Sequence, residues 1–173
     1  MADHDEGPIE LKRLHEDALE AALNRARHYR LLNQPHLAES IFRDILEVDP
    51  DHEDASIGLI MTLCDEFLAG GGHPVTEVLR MAGDLDDDYA RSYYSGLVCE
   101  RKAQSTLLKG GPGAGAVAYD WFRQAMQHYE KAEPIRPSGN DDVILRWNTC
   151  ARTLNTRSDV RPRPDDSGVH LLE

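Results

Sequence analysis

Few residues in this 173-residue chain stand at the spacings that chemistry requires. His15-Glu16 and His52-Glu53 each open an HExxH string, the helical histidine pair that holds zinc beside a glutamate base. Leu19 and Ser56 stand where its second histidine belongs. Asp84-Leu85-Asp86-Asp87-Asp88 has the carboxylate density of a calcium loop, but Tyr89 replaces the needed glycine and Ser95 the bidentate glutamate. Those aspartates read as a solvated turn with good helix N-cap residues. Gly111-Pro112-Gly113-Ala114-Gly115-Ala116 spells a GxGxxA string ahead of a helix. A dinucleotide fingerprint needs a strand before it; helical sequence precedes this one, so it reads as a turn. Cys64, Cys99 and Cys150 lack the close spacing and fourth ligand of a thiolate metal site, and are expected to be buried as small hydrophobes. No Ser-His-Asp or Cys-His grouping emerges. We therefore expect no catalysis, no cofactor and no metal site.

Composition narrows the remaining classes. A net charge of −12, from 31 acidic against 19 basic residues, repels a polyanion, and no Lys/Arg-rich run offers a nucleic-acid footprint. No apolar run approaches the roughly 20 residues of a membrane span, and the acidic MADHDEG start is unlike a signal peptide. The expected location is the cytoplasm. Three cysteines without CxxC spacing fit reduced thiols better than a disulfide framework.

The elements that position any site are helices. Pro8 suits a first helical position, and Leu11, Leu14, Ala18, Ala22, Ala26 and Tyr29 recur at three- or four-residue steps. Asn33-Gln34-Pro35 breaks that pattern. The next stretch, His36–Pro50, places Ala38, Phe42, Ile45 and Leu46 on one face and ends in a proline. Helices are predicted over residues 8–32, 36–48, 53–68, 74–83, 89–108, 114–133 and 141–154. The tail from Asn155, with Pro162 and Pro164, is expected to fray, its apolar end Val169–Glu173 able to dock as a short plug.

The pattern of Ala38, Phe42, Ile45 and Pro50 recurs. Val75, Leu79 and Ala82 follow 37 residues on; Ala125, Tyr129, Ala132 and Pro137 follow 50 after those. In spacing and landmarks the chain resembles tetratricopeptide repeat proteins, whose unit is a 34-residue helix–turn–helix. In the first unit Ala26, Tyr29, Ala38, Phe42 and Pro50 match, while Ala22 and Arg25 depart from the Trp and Leu landmarks. The second keeps Leu59 and Ala82 without a closing proline; the third keeps Ala125, Tyr129, Ala132 and Pro137. Against a 34-residue unit, 3 residues are left over at Gly70-Gly71-Gly72 and 16 around Lys109–Ala116. Both sit at turns, where insertions leave stacking undisturbed.

The resemblance implies an all-α, right-handed helical-hairpin solenoid of three hairpins plus a capping helix, over residues 19–154. Residues 1–18 form an N-terminal segment and helix extension, and 155–173 a flexible tail. Phe42, Leu79 and Tyr129 should sit between successive helices. First helices line the concave face in this family, which turns Asn24, Arg27 and Arg30, then Ile57, Met61 and Asp65, toward a groove. Arg91, Tyr94, Val98 and Arg101 follow from the third hairpin, and Asn148 and Arg152 from the capping helix. Guanidinium forks pair with carboxylates, so an acidic peptide or protein segment is one expected partner, with Met61 and Tyr94 as its apolar contacts. The competing expectation is that these arginines pair with the chain's own acids, Glu20 and Glu100 among them.

The long third hairpin should carry a seam of Leu107, Leu108, Val117, Ala118, Trp121 and Phe122, closing on itself or serving a homodimer. The sequence thus reads as a non-catalytic scaffold or adaptor. The alternatives are a chaperone that sequesters a client and a homo-oligomeric structural protein.

Overall fold

A computed structural model describes residues 9–163 of the chain, and these are all-helical with no strand among them. Seven α-helices follow in order: α1 Leu19–Leu31, α2 Pro35–Val48, α3 Glu53–Leu68, α4 Val75–Gly83, α5 Asp88–Lys109, α6 Ala114–Ala132 and α7 Asp142–Thr156. Their limits follow local chemistry. Asn33, at φ +57°, reverses the chain after α1, and Pro35 opens α2 where its missing amide costs nothing. His52 Nδ1 accepts from the Ala55 amide at the start of α3, beside Glu53 and Asp54 in its first turn. The Asp87 carboxylate accepts from the Ala90 amide at 2.7 Å, the N-cap expected of the aspartate run. Gly110, Gly111 and Gly113 all take positive φ, so the glycine string is a turn between α5 and α6.

Each helix packs on the next, and the odd-numbered helices also touch, α1 on α3 and α3 on α5. The core forms two clusters. The first gathers Leu23, Ala26, Ala38, Phe42, Ile45, Leu59, Leu63 and Val78, among others; the second gathers Cys99, Ala103, Phe122, Ala125, Tyr129, Val143 and Cys150. Phe42 and Tyr129 are fully buried, and Leu79, half-buried, packs against both clusters. The rings need room: a Cβ at Gly58 would overlap the Phe42 ring, and one at Gly96 would stand 2.5 Å from Tyr129 Cε1.

The α5–α6 pair is the longest, 22 and 19 residues. Its seam closes inward. Ala118 and Phe122 are buried, Leu107, Val117 and Trp121 half-buried, and Leu108 alone of the six is exposed.

Two expectations are corrected. Residues 9–15 are not helical: a short 3₁₀ turn, Glu16–Ala18, leads into α1 and Leu11 is 88% exposed. Leu14 still packs, half-buried, against the first core cluster, whereas Leu11 finds no cover among the described residues. The first part of the tail does not fray. Val160 is completely buried, and the chain before it lies so close to Gly115 that a Cβ there would overlap the Asp159 carbonyl. An Arg157–Asp159 ion pair at 2.6 Å and an Arg161 hydrogen bond to the Leu154 carbonyl hold this return. The plug expected at Val169–Glu173 lies outside the described residues.

Candidate functional site

Four helices contribute to one cleft of about 250 Å³, lined by Arg27 and Arg30 from α1, Phe42 from α2, Asp54, Ile57, Gly58 and Met61 from α3, and Tyr94 from α5. Helical spacing explains the set. Arg27 and Arg30 lie three residues apart, and Asp54, Ile57, Gly58 and Met61 repeat at three and four, so α1 and α3 each turn one stripe toward the cleft. Five of the residues expected at a binding face from sequence, Arg27, Arg30, Ile57, Met61 and Tyr94, are brought together here.

The cleft's charges are balanced from within. Arg27 Nη2 donates to Asp54 Oδ2 at 2.9 Å, and Arg30 Nε donates to Asp65 Oδ2 at 2.7 Å. Both partners of the first pair are largely exposed, so it is worth little and opens readily; the second is half-buried and tighter. The Tyr94 ring stands edge-on to Tyr93, centroids 5.1 Å apart. Burial, then the neighbouring Tyr93 and Asp54, push its hydroxyl above the ordinary range.

The other expected residues stand elsewhere. Asn24 is exposed on α1 and donates to Glu20 Oε1 at 3.1 Å. Arg91 ties the α4–α5 turn, donating to the carbonyls of Leu85 and Asp86 and to Asp88. Arg101 is half-buried with Nη1 on Gln104, 3.3 Å away. Asn148 and Arg152 lie on α7, outside the cleft lining. The internal pairing weighed for these arginines does occur, with different acids: Asp54 and Asp65 in place of Glu20 and Glu100.

Glu100 has another task. With no solvent exposure, it accepts from Tyr129 Oη at 2.7 Å, Gln104 Nε2 at 3.1 Å and Arg146 Nη1 at 3.2 Å. This is a fully satisfied network joining α5, α6 and α7. Cys64, Cys99 and Cys150 are buried free thiols, and burial pushes Cys64 and Cys99 up to about 12, so they are poor nucleophiles.

One grouping has no counterpart in the sequence reading. His36 and Glu39 of α2, Glu66 of α3 and His73 of the following loop converge, with ligand atoms of the first three all within 4.8 Å of one another. Burial, then the adjacent Glu39 carboxylate, raise the Glu66 carboxyl above its usual value. The HxxE spacing of His36 and Glu39 was the available signal, but it names only half the set.

No helix among the described residues is long and apolar enough to cross a membrane. Comparison with protein-family models, with curated proteins and with solved structures gave no match.

Proposed function

We propose that this protein is a non-catalytic interaction module of tetratricopeptide-repeat type. In this reading its helices form a right-handed stack of three hairpins plus a capping helix, and the α1/α3/α5 face holds a segment of a partner protein in the cytoplasm. The observation that carries this is the cleft: one mixed polar and apolar recess to which α1 gives two arginines, α3 a stripe around Ile57 and Met61, and α5 the Tyr94 ring. Concave faces of stacked repeats bind extended segments in this way.

The cleft's own acids refine the partner. Asp54 and Asp65 already occupy the two guanidinium groups, so a polyanionic segment gains little net charge attraction. The occupant that fits carries an apolar side chain for the space between Met61 and Tyr94. Beside it a carboxylate or carbonyl group exchanges with Asp54 at Arg27, an exposed pair worth at most about 1 kcal/mol.

The test is capture from the native lysate with three proteins: wild type, a Met61→Glu/Tyr94→Ala variant, and Leu37→Glu on α2 as a surface control. A partner retained by wild type and control but lost with the cleft variant supports the reading. A partner retained equally by all three, or none captured by any, overturns it.

A further inference from the structure

We propose that His36, Glu39, Glu66 and His73 bind one divalent first-row transition-metal ion, zinc by preference, clipping α2, α3 and the 70–74 loop together. His36 and Glu39 stand one turn apart in the first turns of α2, so both side chains leave the same face. Glu66 lies in the last turn of α3. The chain then reverses at Gly70, at φ +84°, and the Gly71 amide donates to the Glu66 carbonyl at 2.9 Å. That reversal carries His73 back over the end of α3.

His36, Glu39 and Glu66 already hold ligand atoms within 4.8 Å of one another, and His73 borders two of them. His36 Nδ1 is 3.3 Å from Glu66 Oε1, and His73 Nε2 is 3.2 Å from Glu39 Oε1 and 3.9 Å from Glu66 Oε2. Ligands at about 2.0–2.1 Å from a tetrahedral ion stand about 3.3 Å from one another. The Glu66 side chain is only 5% exposed, and its Oε1 accepts no hydrogen bond among the described residues although His36 Nδ1 faces it. A buried carboxylate oxygen without a donor is costly, and an ion shared with the imidazole removes that cost. Glu77 Oε2 stands 3.9 Å from His73 Nδ1, on the far side of the ring, where a second carboxylate orients a metal-bound imidazole. Arg43 already holds Glu39 Oε1 at 2.8 Å, so the ion takes the other Glu39 oxygen or shares this one.

Two imidazole nitrogens with two carboxylates favour zinc, nickel or cobalt over magnesium or calcium. With His73 closing onto the three clustered ligands as the fourth, the proposed shell is that of a structural clip and not a catalytic centre. This assignment is independent of the binding cleft.

The experiment uses the full chain, stripped by a chelator and titrated with Zn²⁺ against a chromogenic chelator at neutral pH. One equivalent should bind and raise Tm by about 5–10 °C at a hundredfold excess over Kd, while Mg²⁺ does not. His36→Ala and His73→Ala should each weaken binding by at least roughly tenfold, the lower edge of what even an outer-shell change costs. Co²⁺ should give visible absorption bands that either variant loses. His36 is 86% exposed, so its replacement leaves the fold intact, which far-ultraviolet circular dichroism checks. His28→Ala, at a histidine outside the cluster, should bind as wild type does. Failure to bind one equivalent, or equal affinity in the His36→Ala/His73→Ala double variant, overturns the assignment.

Discussion

Glu100 shows what a single buried group does here. Its three hydrogen-bond partners come from α5, α6 and α7, so losing it strands the half-buried Arg146 charge and the Tyr129 hydroxyl together. Glu100→Ala should cost about 3–5 kcal/mol, the range for breaking a buried pair, and Tyr129→Phe about 1.5–3 kcal/mol, the range for a hydrogen bond to a charged group. Urea denaturation of both variants checks this; equal costs would mean that packing and not the network holds the three helices. The buried thiols set a pH dependence. Cys64 and Cys99 are raised from 9.0 to about 12 by burial, so unfolding exposes groups that ionise more readily than in the fold. Their stability contribution is whole below pH 9 and is lost as pH rises toward 12. The loss is about 1.4 kcal/mol per pH unit for each thiol. Urea midpoints above pH 9 should fall more steeply for wild type than for a Cys64→Ala/Cys99→Ala variant, each referred to its own value at neutral pH.

Between elements, two glycines decide how closely helices approach. Gly58 lets α3 lie on the Phe42 ring of α2, and Gly96 lets α5 lie on the Tyr129 ring of α6. Both rings are fully buried. Gly58→Ala and Gly96→Ala should therefore each destabilise by about 1–3 kcal/mol, despite the better helix propensity of alanine. Combining Gly58→Ala with Phe42→Leu should be less costly than the sum of the two, which a double-mutant cycle measures. The returning tail is the other inter-element device. Val160→Ala should cost about 2 kcal/mol, and Gly115→Ala should release the return altogether, seen as faster amide exchange at the start of α6.

Across the whole molecule the two core clusters meet along α5, which carries Val98 into the first and Cys99 into the second. A chain whose helices touch mainly their neighbours opens from its ends. Only Leu23 and Ala26 of α1 are fully buried, whereas α5 buries nine residues along its length. Native-state hydrogen exchange should find the amides of α1 opening well before those of α5, with the slowest around Val98 and Cys99. Uniform protection from α1 to α7 would point to one indivisible core instead of a graded stack.

The sequence by itself determined the helices, because their signals are local. Apolar residues at three- and four-residue steps, Asn33 and Pro35 at one break and glycines at others placed six of the seven within a residue or two at either end. The period carries the predicted first helix too far, because Leu11 keeps it while staying 88% exposed. Helical spacing also puts Arg27 and Arg30 on one stripe of α1, and Ile57 and Met61 on one stripe of α3. Only the tertiary structure decided whom those arginines meet, since Asp54 and Asp65 lie 27 and 35 residues away and any nearby acid fits the sequence equally well. The same holds for Glu100, for Val160 folding back against Gly115, and for the His36, Glu39, Glu66 and His73 cluster. In each, the partners are joined by chain reversals and helix packing, and linear spacing carries no record of a contact made across them.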